Sequence, residues 1–526
     1  MKNEIKHIIY LMLENRSFDQ LLGWLYDGTQ PKVNIPEQNP PTYNGLKENT
    51  YYNLDKNGKK HYVIKGVDNM NVPIHDPHEE YSHVNIQLFE TKINQPYNTK
   101  PTMGGFYKDF ATYNDHMHQI MQSYTPDELP VLNGLAKNFA VSDYYFCSLP
   151  TQTNSNRAFA AAGNSLGIND DGQLEAFVSN RDFSYVPPHL SQPVGKQFNQ
   201  KTMWNVLSEN GLDQPSDWMH YYSQGTWYDD LLGLEGYAYT RDLMTKLQDK
   251  SLDKHFDKID TFFERAEAGT LPKVCFLEPE WGLELPILDK DHGINGCDYH
   301  PPTNLTLGEV FVKKIYDSLT SNKKAWGNTL FIINFDEHGG TYDHVAPTPC
   351  AKQPWESDGT PKPQAEECQF DFKRFGVRVP LVLVSPRIQK STVFRATEEI
   401  PYDHTSVIAT ILKILGIPKE SWGLGAGTAN APTFENVFEG NPIHQDIPKV
   451  EVNKSPKTIT DIGAKTPPND IHLRMAHSLL NRMIEKEGLN KEETDKLNLP
   501  KLIESKTVIE LSKTLKTAVL KIKERI

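Results

Sequence analysis

Short apolar runs, each ending in polar residues and turn formers, recur across the first 416 residues of the chain. Five of these runs are rich in β-branched or aromatic residues and are predicted to be strands: HIIYLML (7–13), FAVSDYYF (139–146), VCFLEP (274–279), TLFIIN (329–334) and VRVPLVLVSPRI (377–388). Because the runs are mostly apolar, we expect strands that are buried on both faces of a sheet.

Segments with apolar residues at helical spacing alternate with these strands. Helices are predicted after Pro77 within 75–90, across Met117–Asn138 with breaks at two prolines, within 298–319, and over 402–416 with capping by Thr405 and Ser406. The helix within 298–319 has one predicted apolar face, formed by Leu307, Val310, Phe311, Ile315 and Leu319. This alternation is typical of an α/β fold with a mostly parallel central sheet flanked by helices.

The same pattern predicts the domain organisation. One catalytic domain covers residues 1–416 and carries insertions at 27–103, 170–260 and 345–370; a Pro/Gly-rich connector (417–470) and a helical C-terminal extension (471–526) follow. The first insertion contains a predicted hairpin across Tyr51–Ile64, with its turn at Asp55–Gly58.

The last helix of the extension has an apolar stripe with basic residues beside it. The stripe consists of Val508, Leu511, Leu515, Val519, Ile522 and Ile526, and the basic residues are Lys513, Lys516, Lys521, Lys523 and Arg525. One interpretation is a helix that lies on a membrane surface. The other is a helix that packs its stripe against the main domain.

Composition narrows the possible functions. The chain has 526 residues and a net charge of −13, without a basic stripe interleaved with aromatic residues, which argues against a nucleic-acid partner. Its five cysteines include no CxxC pair and are predicted to be free thiols, with a Cys350–Cys368 bridge as the alternative.

The lengths of the apolar runs also indicate where in the cell the protein is located. The apolar run Ile8–Leu13 is too short for the core of a signal peptide, and no apolar run reaches about 18 residues. The sequence therefore predicts a soluble protein without a transmembrane segment. We expect it to be cytoplasmic, or exported without a Sec leader, with peripheral contact to membranes.

Two adjacent carboxylates, Asp336 and Glu337, follow the predicted strand 329–334 and precede a Gly-Gly turn. Adjacent carboxylates repel each other unless a proton or a cation offsets their charge. Ligand sites of α/β sheets lie at the carboxyl ends of strands, so a cation site is favoured here. The alternative is a solvated acidic turn.

Two other polar segments follow predicted strands: Glu14-Asn15 and the stretch from Thr153 to Arg157. Because the carboxyl ends of parallel strands share one edge of the sheet, we expect these segments to meet Asp336 and Glu337. Carboxylate and amide oxygens suit a divalent cation, and a hydroxyl beside such an ion loses its proton more readily. Thr153 would then be a nucleophile on phosphorus, with Asn156 and Arg157 as donors to phosphate oxygens and a histidine protonating the leaving group.

Six motifs in the same order resemble the phosphoesterase family, which contains bacterial phosphatidylcholine-type phospholipases C, plant non-specific phospholipases C and a bacterial acid phosphatase. They are ENRSFDQLLGWL (14–25), PTQTNSNR (150–157), DYHPP (298–302), DEHGGTYDHV (336–345), FGVRVPLVLVSPR (375–387) and YDHTSVIATILKIL (402–415). The resemblance covers residues 7–416 and is strongest to the plant enzymes. It implies an alkaline-phosphatase-like α/β fold.

The resemblance also implies roles for individual residues. Glu14, Asn15, Asp336 and Glu337 would hold the metal together with Thr153, which would form a phospho-enzyme; Thr151 and Ser155 are local rivals for the nucleophile. His300, His344 and His404 match histidines of the family motifs. Further candidates for the site are His78, His83, His118, Asp298, His338 and Asp403.

Four departures from the family motifs affect mainly the proton-transfer residues. Ser155 replaces a proline, Tyr299 and Thr303 replace an acid and a second histidine, and Arg387 replaces a tryptophan. In DPHEEYSH, either His78 or His83 can take the role of the single motif histidine.

The prediction is a metal-dependent phospholipase C that hydrolyses a phosphatidylcholine-like glycerophospholipid at a membrane surface through a phospho-threonine. Two alternatives stay open: a phosphomonoesterase of the acid-phosphatase kind, and a membrane-docking or host-interaction protein with a vestigial site. The sequence does not choose between calcium, magnesium, manganese and zinc, and it does not specify the headgroup.

Overall fold

A computed structural model describes most of the chain. The described residues are 5–168, 173–180, 197–223, 238–281, 296–355, 370–397, 399–440, 443–444, 446–454, 467–468 and 470–524.

The described residues form sixteen strands. They are β1 (His7–Leu13), β2 (Val33–Ile35), β3 (Tyr52–Leu54), β4 (Lys60–Tyr62), β5 (Ile64–Lys65), β6 (Gln122–Ser123), β7 (Ala140–Ser142), β8 (Leu166–Ile168), β9 (Leu174–Ala176), β10 (Gln197–Phe198), β11 (Trp218–Tyr222), β12 (Phe256–Lys258), β13 (Val274–Glu278), β14 (Thr329–Phe335), β15 (Leu381–Val384) and β16 (Thr392–Phe394).

The same residues form fifteen α-helices and several 3-10 turns. The helices are α1 (Phe18–Leu22), α2 (Tyr81–Phe89), α3 (Phe106–Phe110), α4 (Pro130–Asn138), α5 (Thr153–Ala162), α6 (Met203–Glu209), α7 (Tyr239–Leu243), α8 (Ile259–Ala268), α9 (Leu305–Ser321), α10 (Lys323–Trp326), α11 (His404–Ile414), α12 (Gly425–Asn430), α13 (Asp470–Lys486), α14 (Lys491–Lys496) and α15 (Val508–Glu524).

A nine-stranded sheet organises the described part of the chain. Its order is β12-β11-β13-β1-β14-β15-β7-β16-β2, and β15 alone runs antiparallel to its neighbours. The strands β1 and β14 lie side by side near the centre and are almost completely buried. The predicted α/β fold with a mostly parallel sheet is therefore confirmed.

Two segments that the sequence assigns to insertions also contribute to this sheet. The strand β2 pairs with β16 at one edge, while β11 and β12 form the other edge. Residues 27–103 and 170–260 are thus not wholly excursions from the sheet. The predicted hairpin is confirmed, because β3 and β4 pair antiparallel across the turn at Asp55–Gly58.

Several local predictions are wrong: three predicted segments are shorter in the structure, among them 377–388, where only β15 is a strand, and one helix face is only partly buried. Within 139–146 only β7 is a strand, and within 117–138 only Met117–Met121 (a 3-10 turn) and α4 are helical. In α9, Leu307 and Val310 are exposed, whereas Phe311, Ile315 and Leu319 are buried. Helix α11 takes its cap from Asp403, whose side chain and that of Ser406 form a capping box.

The C-terminal extension packs onto the main domain. In α15 the stripe residues Val508, Leu511, Leu515, Val519 and Ile522 are buried, and four of them belong to the same hydrophobic cluster as the central strands. The described stripe residues are therefore not available to a membrane, while Arg525 and Ile526 lie outside the described residues. No helix among the described residues is long and apolar enough to cross a bilayer.

The four described cysteines agree with the prediction of free thiols. Cys147, Cys275, Cys297 and Cys350 are free thiols. The alternative bridge involves Cys368, which lies outside the described residues.

Glu309 of α9 gives a first testable prediction. Its buried carboxylate caps α4 by accepting from the backbone N–H groups of Val131 and Leu132, and burial raises its pKa to about 7 from an ordinary 4.5. A raised carboxyl pKa favours the folded state while the group is protonated, so this stability is present below pH 4.5 and is lost as pH rises through about 7. The loss amounts to about 3 kcal/mol.

Urea unfolding at pH 5 and pH 8 measures this effect. We expect the free energy of unfolding of the natural protein to fall more between these pH values than that of Glu309→Gln, which does not titrate. Equal losses in both proteins would contradict the assignment.

Candidate active site

The parallel register of β1 and β14 creates the centre of the site. Leu13 pairs with Phe335 at the ends of these strands, so Glu14-Asn15 and Asp336-Glu337 leave the sheet side by side. The backbone N–H of Asn15 donates to Oδ1 of Asp336 at 3.0 Å, with Asn15 in a left-handed conformation (φ 51°). The expected meeting of these two segments is confirmed.

Gly339 lets the loop after β14 close over Asn15. Its φ is +58°, and an added Cβ would lie 1.9 Å from the backbone oxygen of Asn15. Only glycine accommodates both this conformation and this approach.

Thr153 completes the meeting of the three segments. It is the first residue of α5 and fully buried, and its Oγ1 lies 3.4 Å from Oε2 of Glu14 and 3.3 Å from Oδ1 of Asn15. The two rival hydroxyls have other surroundings. Thr151 donates its hydroxyl to the backbone oxygen of Val178, and the Ser155 hydroxyl has no partner among the described residues. The hydroxyl that faces the acidic residues is that of Thr153.

Arg157 follows Thr153 by about one helical turn and pairs with the same carboxylates. Its Nε donates to Oε1 of Glu14 at 2.7 Å and to Oδ2 of Asp336 at 3.1 Å. The guanidinium lies over the Trp281 ring, 4.7 Å from the ring centre, and its Nη1 is buried without a hydrogen-bond partner among the described residues. That N–H group is free to hold an anionic oxygen.

Asn156 braces the turn that precedes α5. Its Oδ1 accepts from the backbone N–H of Leu149 at 2.9 Å, and its Nδ2 donates to the backbone oxygens of Leu149, Thr151 and Gln152 at 2.9–3.2 Å. The amide is thus engaged with the chain itself, whereas the sequence predicts a donor to phosphate.

Glu79 is part of the site although the sequence analysis does not single it out. Its buried carboxylate accepts from Nδ2 of Asn15 at 2.6 Å, which orients the Asn15 oxygen toward Thr153. The signal in the sequence is the HEE run at 78–80. The carboxylate of Glu79 enters the site from a loop, so the rule that ligands follow strand ends does not find it.

Burial makes this group of carboxylates costly to ionise. It raises the pKa of Glu14 well above the ordinary value despite the nearby charge of Arg157. Burial also raises the pKa of Glu79, and the charge of Glu337 raises it further. The pKa of Glu337 is raised in the same way by burial and by the charge of Asp336. Arg157 contacts two of the four carboxylates, those of Glu14 and Asp336. Oε1 of Glu337 has no hydrogen-bond partner among the described residues. A hard cation fits this oxygen-rich set.

His300 lies beside this group. Its Nδ1 lies 2.6 Å from the backbone oxygen of Pro301, and its Nε2 is 3.8 Å from Oε1 of Glu79. With Asp76 the two form a cluster whose donor atoms lie within 4.8 Å of one another. The Nδ1 contact favours a proton on that nitrogen.

The loop that carries His300 is fixed to the end of β1. The backbone N–H of Glu14 donates to the backbone oxygen of Asp298, whose Oδ1 accepts from the N–H of His300. The buried Arg16 donates from Nε to the Tyr299 oxygen at 2.6 Å. Asp298 therefore positions the loop next to Glu14.

His338 is buried next to the acidic residues. Its Nδ1 is 3.2 Å from Oε2 of Glu337, and its Nε2 is 2.7 Å from Oε1 of Gln87. Burial lowers its pKa to about 3, so it is neutral at physiological pH.

His344 belongs to a separate buried ion-pair network. Its Nδ1 is 2.6 Å from Oδ2 of Asp19, and Arg378 pairs with both Asp19 and Asp343. Its Nε2 is 3.1 Å from Oδ1 of Asn44. No direct contact joins His344 to Thr153 among the described residues.

His404 holds the end of β14. Its Nε2 is 3.0 Å from the backbone oxygen of Phe335, and its Nδ1 faces Ser148, whose hydroxyl donates to Asp403. Burial lowers the pKa of His404. His404 and Asp403 therefore tie α11 to the strand that presents Asp336.

The remaining candidates lie away from Thr153. His78 and His83 stack on each other and share Asp109, at 3.7 and 2.7 Å, in a second cluster of potential metal ligands. His118 is exposed and pairs with Asp68.

Residues 5–418 match the Phosphoesterase family. The chain belongs to the Phosphoesterase family. This membership, together with the phospholipases C among its relatives, makes it a hydrolase of phosphoric esters.

Its relatives include plant and bacterial enzymes. The phosphoesterase is 29% identical to Non-specific phospholipase C6 of Arabidopsis thaliana over 477 residues, which cover 90% of this chain and 78% of that protein. It is 30% identical to Non-specific phospholipase C1 of the same plant over 455 residues (85% and 74%). It is 26% identical to Phospholipase C B of Mycobacterium tuberculosis over 477 residues (86% and 82%).

Solved structures overlap with the phosphoesterase more weakly. A protein in the alkaline phosphatase superfamily from Vibrio parahaemolyticus is 14% identical, with coverage of 59% of this chain and 66% of that chain and a TM-score of 0.29. The fold assignment rests on the sheet described above and not on this overlap.

The contacts of Asn156 predict a structural effect on substitution. We expect Asn156→Ala to lower the free energy of unfolding by about 2–4 kcal/mol, because backbone groups of the turn lose their partner. Urea unfolding measures the loss, with Ser155→Ala as the control. A variant of unchanged stability with a large loss of turnover would instead favour a role for Asn156 on phosphate.

Proposed function

We propose that this phosphoesterase is a metal-dependent phospholipase C that acts on glycerophospholipids through a phospho-threonine. The observation that carries the proposal is the buried Thr153 hydroxyl, which lies within 3.4 Å of oxygens from both Glu14 and Asn15. The names of the relatives support the substrate class, since they are phospholipases C from plants and bacteria.

Residues at the ends of β1 and β14 would hold the cation. They are Glu14, Asn15, Asp336 and Glu337, with Thr153 beside them. A divalent ion on these oxygens lowers the pKa of a neighbouring hydroxyl and offsets charge on phosphate oxygens. Their oxygen-only donor set favours a hard ion such as calcium, magnesium or manganese over zinc.

Thr153 acts first. Its deprotonated Oγ1 attacks phosphorus, the Oγ1–P bond forms, and the bond from phosphorus to the glycerol oxygen breaks. The buried Nη1 of Arg157 donates to a non-bridging phosphate oxygen as charge builds on it.

His300 handles the protons of both steps. Protonated at Nε2, it gives that proton to the departing glycerol oxygen, which leaves as diacylglycerol. The neutral imidazole then takes a proton from water as the water attacks phosphorus. The P–Oγ1 bond breaks, and the phosphorylated headgroup leaves.

The same residues suit a phosphomonoester, which is the second candidate function. Turnover of p-nitrophenylphosphorylcholine and of p-nitrophenyl phosphate separates the two. The proposal requires the diester to be the better substrate, and a preference for the monoester would overturn it. The third possibility, membrane docking through the tail with a vestigial site, is disfavoured by the burial of the α15 stripe.

The nucleophile is tested by substitution. We expect Thr153→Ala to lower kcat about 10⁴-fold or more while leaving the fold intact, because no other described hydroxyl faces Glu14 and Asn15. Ser155→Ala removes a buried hydroxyl two residues away and should keep most of the activity. Near-natural turnover by Thr153→Ala would exclude the phospho-threonine.

Removal of the cation tests the metal site by a measurement other than turnover. After chelation, the divalent ion that the site binds is added back at a concentration one hundred times its Kd. This should raise the free energy of unfolding by about 3 kcal/mol. The response should grow with pH, because the carboxyls must lose their protons to bind the ion.

Two variants control this experiment. Glu337→Gln should abolish the stabilisation, whereas Glu309→Gln, which alters a buried carboxylate outside the site, should keep it. An equal response in all three proteins would exclude a cation at Glu337.

A further inference from the structure

The β3–β4 hairpin has two chemically different faces. Its outward face consists of Tyr52, Leu54 and Tyr62, together with Ile64 at the start of β5, and these residues are 39%, 42%, 38% and 39% exposed. We call these four residues the docking face. Large apolar side chains that gather on one exposed face mark an interaction surface more often than scattered ones do.

Side chains of the two hairpin strands lie against one another on the docking face. Tyr52 and Tyr62 are direct partners across the two strands, with ring centres 5.4 Å apart. Leu54 pairs with Lys60, whose ammonium lies 4.1 Å from the centre of the Tyr52 ring. The patch therefore combines phenol rings, aliphatic groups and a lysine.

The inward face holds the hairpin rigidly on the protein. Asn53 donates from Nδ2 to the Met103 oxygen at 2.9 Å and accepts from the N–H of Tyr107 at 3.0 Å. His61 stacks on the Tyr107 ring at 3.8 Å. The exposure of the docking face thus follows from a fixed hairpin.

The turn of the hairpin is basic. Lys56, Lys59 and Lys60, the turn lysines, are exposed and form no ion pair among the described residues. The nearby carboxylate of Asp55 is engaged by His61 and by the backbone N–H groups of Asn57 and Lys59. On a chain with a net charge of −13, this local positive charge fits an anionic partner.

The hairpin is connected to the catalytic edge of the sheet. Tyr51, the residue before β3, packs its ring 4.1 Å from the ring of His344. His344 lies in the loop that begins with Asp336 and Glu337.

We propose that the docking face and the turn lysines bind the surface of a bilayer that contains anionic phospholipid. Tyrosine rings favour the interface between headgroups and acyl chains, and lysines are attracted by the negative surface potential. The inference rests on the proposed function, because a phospholipase must reach a lipid surface. A second copy of the chain is the competing occupant, and the experiment separates the two.

Vesicle binding tests the proposal with the full chain carrying Thr153→Ala, so that lipid is not consumed. Co-sedimentation with phosphatidylcholine vesicles containing 30% phosphatidylglycerol gives the partition coefficient. We expect the added Tyr52→Ser/Tyr62→Ser pair to lower it by roughly tenfold or more. Tyr97→Ser, at a tyrosine that is 42% exposed elsewhere, is the matched control and should bind normally.

The turn lysines are tested separately. Replacing all three by glutamine should weaken binding to the anionic vesicles and reduce its sensitivity to salt, with little change on pure phosphatidylcholine. Should the tyrosine pair fail to fold, judged by circular dichroism, Leu54→Ser/Ile64→Ser carries the same expectation.

Turnover of p-nitrophenylphosphorylcholine by hairpin variants with Thr153 restored distinguishes this proposal from the proposed function. Normal turnover of this soluble substrate with reduced turnover on vesicles supports the docking face. Absence of soluble turnover in the natural chain would overturn the proposed function without affecting the binding result. Unchanged vesicle partitioning, or a hairpin variant that converts a dimer into a monomer, would overturn the docking proposal.

Discussion

The burial of neighbouring carboxyl groups at the ends of β1 and β14 is the constraint on which the site depends. Strand register brings Glu14 and Asp336 together, and Arg157 offsets part of their charge. The N-terminus of α5 adds the partial positive charge of the helix dipole. Thr153 occupies the first position of that helix, so its hydroxyl lies beside Glu14 and Asn15.

The interior strands were predictable because their composition alone demands burial. The runs that became β1 and β14 are apolar throughout, and few environments other than the middle of a parallel sheet suit them. Edge strands lack this signal: β2 and β12 have three residues each and owe their conformation to partners distant in the chain. The strand within 139–146 ends at Ser142, earlier than predicted, because Asp143 leaves the sheet to pair with Arg395.

For the site, the sequence sufficed wherever a side chain follows a central strand. Glu14, Asn15 and Asp336 obey that rule, and the helix start supplies Thr153. Glu79 does not obey it, since its place depends on how a long loop folds back to reach the Asn15 amide. The histidines show the limit of motif matching: the ring of His404 is engaged by the backbone of β14, whereas that of His300 stands beside the carboxylates.

Gly339 approaches the Asn15 backbone so closely that the conformations of these two distant segments depend on each other. A side chain at 339 would push on the main chain of residue 15 and so shift the amide oxygen that faces Thr153. The position of the Thr153 hydroxyl relative to the Asn15 amide is thus sensitive to residue 339, which bears no functional group.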